Sequence, residues 1–505
     1  MIKRRVFLFF SCFCIFFNSF GQKVVSDSFT GLSPEGNIPE IFRQATIDIA
    51  KQGTVSAVNI KDSWKVRSEK QNFFLESSFF FSRIMHSGMI LFGDPVTVYL
   101  NQVKDALLEE HPSLKDKITI YATKSPYVNA FATPYGIIFI NAGLVAQVEN
   151  EAQLAYIIAH EIIHYVNNHA LNMHIEKETT RGWLTSDKNQ NEDIFKYHHR
   201  SKEMEMEADN LGFLYYYRNS GYDLNEVLQV FDVLLYSYLP FDEVKWDPKY
   251  YATTYYSIDT AYLTKKITPI TAEEDYDDRE STHPNVKNRK ASLEDALLTA
   301  AQDNIERKKF LVSEEEFFYI RDLCRLESIR QHVINGDYIQ ALYNAQIVNA
   351  SYPSHQVIED AVAYSLYALG KIRSNTYKGE LRFPGATNFE GEISATYHCF
   401  NNMPSEELIG LSLRKSWLLS KQYPEKTFYQ QVTKYALEAL VAHNNFNINN
   451  YRFQTPDSLN IMKQKYLENL DTLNMTKLDK IKMQKMLESF NYNNENSLIF
   501  CDIED

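Results

Sequence analysis

The sequence contains few of the residues that favour turns, with 17 glycines and 15 prolines among 505 residues. This scarcity favours helices over an architecture of short strands and tight turns. Positive charge is also in deficit, since 52 lysines and arginines face 65 acidic residues and leave a net charge of −13. Such an acidic chain is unsuited to binding nucleic acid or an anionic membrane surface. The length and a hydrophobic content of 44% fit a globular protein of roughly two or three domains.

Long apolar runs are absent after the first 21 residues, so we expect no transmembrane segment in the mature chain. Residues 1–21 have a basic start, a mostly apolar run at 6–17 and two small residues before a cleavage point. This order is typical of a secretory signal peptide. The sequence therefore predicts an exported protein, periplasmic or extracellular. Lipidation at Cys12 is the less favoured alternative.

Cysteine is scarce as well. Two of the five cysteines fall within the signal peptide, which leaves Cys324, Cys399 and Cys501. An exported compartment would permit one disulfide, but an odd number at wide spacing indicates neither a pairing nor a metal cluster. The alternative interpretation is that these thiols are buried and pack in the core.

One strongly apolar segment, which is predicted to be a helix, contains three ionisable residues. Residues 155–168 read AYIIAHEIIHYVNN, and apolar side chains cover nearly the whole circumference, which predicts a buried helix. His160 and His164 are one turn apart on the same face, and Glu161 flanks them. This is the H-E-x-x-H arrangement of zinc hydrolases, in which the glutamate acts on a metal-bound water. A metal site would satisfy polar groups that are otherwise costly to bury, whereas the alternative is a chance occurrence.

A third ligand is expected further along the chain, where residues 201–218 read SKEMEMEADNLGFLYYYR. By residue type the candidates are Glu203, Glu205, Glu207 and Asp209. Helical spacing puts Glu205 and Asp209 on one face, so one could bind the metal while the other orients a histidine. Two histidines and one carboxylate leave a position for water, as in a catalytic zinc site. The alternative is a solvated acidic face.

Residues 128–141 contain two apolar runs around a Pro-Tyr-Gly turn and follow a short β-rich run at 118–122. This pattern predicts a β-hairpin. A strand edge near Asn129 and Ala130, close to a zinc helix, could hold an extended peptide substrate by main-chain hydrogen bonds. A hairpin that only packs in the core is the alternative.

Several short motifs occur in the order and spacing of one known family. They are Asn129-Ala130-Phe131, Gly143-Leu144, the run from Leu154 to His164, the run from Glu205 to Asp209, and Thr282-His283-Pro284. Together they resemble the M48 family of zinc metallopeptidases, most closely its soluble, exported, BepA-like branch. The resemblance covers roughly residues 88–300. It implies a zincin-like (gluzincin) fold, mainly α, in which an α+β peptidase domain contains a small β-hairpin or sheet.

The resemblance also implies roles for individual residues. The ligands implied for one Zn²⁺ per chain are His160, His164 and Glu205. Glu161 would be the general base, and Asp209 would contact a ligand residue without binding the metal itself. His283 would be placed to meet the reacting carbonyl or the metal site.

Two features depart from the family pattern. The acidic residue often found shortly before the zinc helix is Gln153 here. The membrane hairpins of some family members are replaced by a polar, charged stretch at 170–200, which implies a soluble form. His169 follows His164 by five residues, so we expect it to point away from the metal face, in a structural or solvent-facing role.

Residues 238–280 are rich in tyrosine and end in an acidic run. Because this segment lies between the Glu205 helix and His283, we expect it near the zinc. It could form a lid or plug over the cleft. The alternative is an ordered surface excursion that packs its own tyrosines.

The remaining sequence is predicted to be helical. Gly336 and the residues after it fit one tetratricopeptide-like (TPR-like) helix, but irregular helical packing is the alternative because one repeat does not make a stack. The predicted organisation is a signal peptide at 1–21, an N-terminal helical extension at 22–87, an M48-like zinc metallopeptidase domain at 88–300 and an all-α TPR-like domain at 301–505.

These features predict a zinc metalloendopeptidase that acts on exported or envelope proteins. Its substrates would be polypeptides, and a protein partner could bind the C-terminal helical domain. The alternative is an assembly factor or chaperone whose metal site is occluded and whose helical domain binds proteins. A purely structural zinc is less favoured, because such sites fill all four positions with protein ligands.

Overall fold

The computed structural model describes residues 23–181, 202–252, 258–264, 266–271, 286–300, 306–374 and 389–442. Helices predominate, and the described strands form one small sheet, as predicted. The expected signal peptide, His283 and Cys501 lie outside the described residues. Within the described ranges, no helix has the length and apolar character needed to cross a bilayer.

The helices of the N-terminal half are α1 (Thr46–Ala57), α2 (Trp64–Met85), α3 (Pro95–Leu107), α4 (Pro112–Lys115), α5 (Ala142–Gln147), α6 (Glu151–Val166), α7 (His169–Arg181), α8 (Lys202–Gly212) and α9 (Glu226–Leu235). Those that follow are α10 (Val286–Ala300), α11 (Glu314–Asn335), α12 (Tyr338–Asn349), α13 (Gln356–Arg373), α14 (Ile393–Asn402), α15 (Ser405–Gln422) and α16 (Thr427–Val441). The strands are β1 (Thr119–Thr123), β2 (Ala130–Ala132) and β3 (Ile137–Asn141).

The sheet has the strand order β1-β3-β2. β1 is parallel to β3, and β2 is antiparallel to β3 with Phe131 opposite Phe139. β2 and β3 are the two arms of the predicted hairpin. In the sheet that the described residues form, β1 and β2 are the outer strands, and β2 lies against α6.

The helix α6 runs through the core. Every residue from Glu151 to His164 is buried, as its apolar circumference predicts. The side chain of Asn150 caps its first turn by accepting a hydrogen bond from the Gln153 N–H. The buried Glu151 carboxylate accepts hydrogen bonds from the hydroxyls of Tyr99 and Tyr222 and from the backbone N–H groups of 311–313. These bonds tie α6 to the chain that enters α11.

The C-terminal helices pack on one another and on the rest of the fold. In the described chain, α11 contacts α5, α12 and α13, and α15 contacts α13 and α16. Cys324 and Cys399 are buried free thiols in this helical layer. For these two residues the packing interpretation is confirmed.

The described part of the tyrosine-rich segment packs on the C-terminal helices. The backbone N–H of Trp246 donates to Glu392, the Tyr251 hydroxyl donates to the Leu342 carbonyl, and the Tyr262 hydroxyl donates to Glu407. These contacts attach the segment to α12, to the start of α14 and to α15. For these residues the contacts favour the alternative of an ordered excursion, because their side chains find partners in the helical layer, and the lid stays a prediction. Residues 253–257, 265 and 272–280 lie outside the described part.

Candidate metal centre

The two histidines of α6 face each other across one helical turn. The Nε2 atoms of His160 and His164 are 2.9 Å apart. Both side chains are buried, with 5% and 4% of the residue surface exposed. Glu161 is also buried, and its carboxylate lies within 4.8 Å of ligand atoms of both histidines. The structure thus places these three groups together in the interior.

The helix α8 brings Glu205 to the histidines. Its Oε2 is 3.5 Å from Nε2 of His160, and its Oε1 is 3.3 Å from Nε2 of His164. Close helix contact makes this possible, because a Cβ atom at Gly212 would lie 3.0 Å from the carbonyl oxygen of Ala159. Glycine at this position therefore lets α8 approach α6 closely.

The spacing of these three donors fits a zinc ion. Zinc binds nitrogen and oxygen donors at about 2.0–2.2 Å in a tetrahedral arrangement, which separates neighbouring donor atoms by about 3.3–3.5 Å. The two Glu205 oxygens lie within this range of the histidine nitrogens, with Oε1 3.3 Å from His164 and Oε2 3.5 Å from His160, whereas the two nitrogens are closer together, at 2.9 Å. Sequence reasoning also considered Glu203 and Glu207 as ligands, but both side chains are exposed. The geometry therefore favours Glu205 as the third donor.

Asp209 lies behind His160, one turn after Glu205. Its Oδ1 is 2.8 Å from Nδ1 of His160. A carboxylate at this atom fixes the ring so that Nε2 faces the donor cluster. The Tyr156 hydroxyl also donates to Asp209 Oδ1, at 3.4 Å. This is the supporting position that the family resemblance implied for Asp209.

Arg289 of α10 bridges the two buried carboxylates of α8, Glu205 and Asp209, a contact that sequence reasoning missed. Its Nε and Nη2 donate to Asp209 at 2.6 and 2.8 Å, and its Nη1 is 2.9 Å from Oε2 of Glu205. The arginine is 2% exposed. A signal existed, since two buried carboxylates on one helix face require a cation. The sequence around Arg289 reads VKNRKASLED, which resembles a solvated helix and gives no reason to select it.

In this cluster the combined charge interactions shift the pKa values more than burial does. Burial alone would lower the pKa of His160, but Asp209 and Glu205 raise it to about 9. Burial raises the pKa of Asp209, yet Arg289 and His160 bring it below its usual value. With protein groups alone, His160 is thus protonated at neutral pH. Because a ligand histidine must be neutral, a bound metal ion would displace that proton.

His169 contacts the outer face of a predicted ligand. Its Nδ1 lies 2.7 Å from Nδ1 of His164, and its Nε2 is 3.5 Å from Glu207. It thus lies on the far side of the His164 ring, as expected from the spacing. A solvent-facing role is wrong, since His169 is only 2% exposed. A structural role, in which His169 fixes the His164 ring, fits this contact.

A small cavity of about 30 Å³ joins the metal centre to the hairpin. Its lining includes Asn129 and Ala130 together with His160 and Glu161. The structure therefore brings the predicted substrate-binding residues to the predicted catalytic centre. His283 is the one predicted site residue outside the described part of the chain.

Known proteins match the part of the chain that contains α6. Residues 97–185 match the sequence model of Peptidase family M48. A stretch of 91 residues is 31% identical to the beta-barrel assembly-enhancing protease of Yersinia pestis and 30% identical to the protein of that name from Escherichia coli (strain K12). Each alignment covers 18% of this chain and 19% of the relative, so the chain spans about a fifth of the length of these curated relatives.

The matched region contains the hairpin and the whole of α6, and it ends before Glu205. The family assignment therefore rests on the segment that supplies the two histidines and Glu161. The two carboxylates that Arg289 contacts, those of Glu205 and Asp209, lie beyond the matched region. Over residues 97–185, the chain is therefore similar to peptidase family M48.

Proposed function

We propose that this protein is a zinc-dependent endopeptidase that cleaves exported or envelope proteins. One observation carries the proposal. Donor atoms of His160, His164 and Glu205, from two helices, lie 2.9 to 3.5 Å apart with the Glu161 carboxylate beside them. Three protein donors and an adjacent carboxylate are the composition of a catalytic zinc site.

In the proposed mechanism, a zinc ion bound by His160, His164 and Glu205 would supply an acidified water and polarise the scissile carbonyl. Glu161 accepts the water proton and delivers it to the leaving amine. Asp209 holds the His160 ring through Nδ1, and Arg289 balances the charge of the two buried carboxylates. His283 donates a hydrogen bond to the oxyanion, a role inferred from the family resemblance.

Substrate would bind along β2. Asn129 and Ala130 line the cavity that also contains His160 and Glu161, so a peptide paired with this strand has its carbonyl beside the proposed base. We infer that the chain is exported, to the periplasm or the exterior, from the basic and apolar start of the sequence. The relatives are named for β-barrel assembly, and envelope proteins are accordingly the substrate class we propose.

A second candidate is an assembly factor that binds proteins through its helical layer and rarely cleaves them. The burial of the site favours it, since Glu205 is fully buried and the adjoining cavity holds only about 30 Å³. In this case the C-terminal helices would provide the binding surface for a protein partner.

The decisive experiment combines metal analysis of the purified mature protein with a casein cleavage assay of wild type and Glu161→Gln. We expect about one zinc per chain in both proteins and loss of cleavage by a factor of 10² or more only in the variant. Glu203→Gln, an exposed glutamate of α8, is the matched control and should cleave normally. Absence of zinc, or equal cleavage by Glu161→Gln, would contradict the proposal. Retained partner binding without cleavage in wild type would favour the assembly factor.

A further inference from the structure

A cavity of about 400 Å³, which we call the α12 cleft, lies between the chain that precedes β2 and the helix α12. One wall is residues 126–128, and the opposite wall is α12 with the turn before it. Residues 237–241 and the pair Phe389 and Tyr397 complete the lining. The volume falls within the range of roughly 300–1,000 Å³ that is common for ligand pockets. The cleft therefore has room for part of a second molecule.

Three polar residues on one side of α12 line this cleft. They are Asp337, which immediately precedes the first turn of the helix, Gln340 and Asn344. Residues that are three, four and seven positions apart share one face of a helix. Seven residues of helix span about 10 Å along the axis, which is also the length of about three residues of extended peptide. The polar side of the cleft thus matches a short peptide segment in length.

Asn344 brings an unused hydrogen-bond acceptor to the cleft. Its Oδ1 atom is buried and has no hydrogen-bond partner among the described residues, and the residue is only 2% exposed. A buried polar atom without a partner is costly, because it has given up its hydrogen bonds to water. A molecule that carries an N–H group into the cleft would remove this cost. The expected ligand is therefore a hydrogen-bond donor.

The other flank of α12 shows how this helix binds a polypeptide chain. The side-chain amide of Gln346 accepts a hydrogen bond from the backbone N–H of Asp247 at 3.1 Å and donates one to the Lys245 carbonyl at 3.0 Å. The bound segment is neither helix nor strand. An amide side chain of α12 thus binds the main chain of a segment that has no regular structure. Asn344 offers the same chemical group to a chain in the cleft.

The charge of the cleft favours a basic ligand. Of its described lining residues, Asp337 is the acidic one and none is lysine or arginine. Its Oδ2 accepts a hydrogen bond from the Tyr127 hydroxyl at 3.0 Å and is 3.4 Å from Nδ1 of His332. Although burial raises the pKa of Asp337, His332 and Tyr127 bring it below its usual value, so the carboxylate is ionised. Because a carboxylate has about four acceptor sites, this one can accept further hydrogen bonds.

The aromatic wall agrees with this preference. The rings of Phe389 and Tyr397 are stacked with their centroids 3.6 Å apart, and both residues line the cleft. The faces of aromatic rings attract the guanidinium group of arginine. We propose that the α12 cleft binds an extended polypeptide segment, with a main-chain N–H donated to Asn344 and an arginine or lysine side chain beside Asp337. This site goes beyond the proposed peptidase function, because binding there requires no cleavage.

The test measures the binding of defined peptides to zinc-supplied Glu161→Gln protein, which should not cleave them. The probes are fluorescein-labelled dodecapeptides of alanine, serine and glycine, with a central phenylalanine followed by arginine, glutamine or glutamate. Fluorescence anisotropy gives each Kd. We expect the arginine peptide to bind roughly tenfold or more tightly than the glutamate peptide, with the glutamine peptide between them.

Two substitutions separate the parts of the site. Asn344→Leu should weaken the binding of all three peptides by roughly fivefold or more, because the peptide N–H loses its acceptor. Asp337→Asn should leave the glutamine peptide unchanged and remove the preference for arginine over glutamine. Gln340→Trp fills the cleft and should abolish binding of every peptide, which tests the site independently of Asn344.

Stability and matched controls distinguish binding from a structural role. Because Oδ1 of Asn344 has no described partner to lose, Asn344→Leu should unfold at the same urea concentration as its parent or a higher one. Asn402→Leu changes an exposed asparagine outside the cleft, and Asp322→Asn changes a carboxylate that also accepts a hydrogen bond from a tyrosine hydroxyl. Neither control should change any Kd.

Several results would overturn the α12 cleft as a peptide site. They are no binding of the arginine peptide at millimolar concentration, equal Kd values for the arginine and glutamate peptides, or an unchanged Kd in Asn344→Leu. A cleft that holds only water would give the first of these. A wild-type protein that does not cleave casein would count only against the peptidase function, because these Kd values are measured without cleavage.

Discussion

Arg289 and Glu205 form a buried ion pair, with Nη1 of the arginine 2.9 Å from Oε2 of the carboxylate. The same guanidinium donates two further hydrogen bonds to Asp209. One cation on α10 thus holds two carboxylates on α8, and one of these carboxylates is a proposed metal ligand while the other orients His160. The metal centre therefore depends on a residue that makes no proposed contact with the metal.

Replacing Arg289 by methionine should strongly destabilise the fold. The change leaves Glu205 and Asp209 buried without their cation, a situation that costs about 3–5 kcal/mol. Urea unfolding of the zinc-supplied protein measures the loss. Lys290→Met is the matched control, because Lys290 pairs with Asp232 at a partly exposed site and its removal should cost about 1 kcal/mol or less. Equal effects of the two substitutions would show that the buried pair has no special importance.

Asp209→Asn should weaken metal binding without removing a metal ligand. The hydrogen bond to Nδ1 of His160 would lose its charge, and changes of this kind reduce metal affinity by about 10–100-fold. Competition with a zinc chelator measures the affinity. Glu203→Gln on the same helix should bind zinc as wild type does, because that side chain is exposed. Unchanged affinity in Asp209→Asn would mean that the ring of His160 is fixed by other contacts.

Chelator-treated protein should lose stability as the pH rises through about 9. The pKa of His160 is raised to about 9 from a usual value of 6.5, so its protonation stabilises the metal-free fold fully below pH 6.5. That contribution, roughly 3 kcal/mol, disappears as the pH rises through the folded-state pKa. Because other groups also titrate there, the measured quantity is the difference in unfolding free energy between wild type and His160→Asn. We expect this difference to shrink between pH 7 and 10, and a constant difference would contradict the prediction.

The sequence predicted those features of the site that depend on the spacing of residues within one helix. His160 and His164 at one helical turn, and Glu205 and Asp209 at another, could be paired because helix geometry fixes which side chains share a face. Arg289 could not be found in this way, because nothing local distinguishes a buried arginine from a solvated one.

The packing of the tyrosine-rich segment could not be predicted from its own sequence either. Its position in the sequence, between the Glu205 helix and His283, suggested a place over the metal centre. The burial of Tyr251 depends instead on a hydrogen bond to Leu342 and on an edge-to-face contact with Phe400, residues about 90 to 150 positions later. Pairing across such separations is set by tertiary packing, which the periodicity of one segment does not contain.

Gly212→Ala should move the third proposed ligand away from the other two. A methyl group there would lie 3.0 Å from the carbonyl oxygen of Ala159, closer than ordinary van der Waals contact, so α8 must shift from α6. We expect a stability loss of about 1–3 kcal/mol and weaker zinc binding, because even a small displacement of Glu205 disturbs donor spacings of 3.3 and 3.5 Å. Asn210→Ala on the same helix controls for changes in α8 itself. If Gly212→Ala were destabilised yet bound zinc with wild-type affinity, the helix contact would matter for packing alone and Glu205 would not be the third ligand.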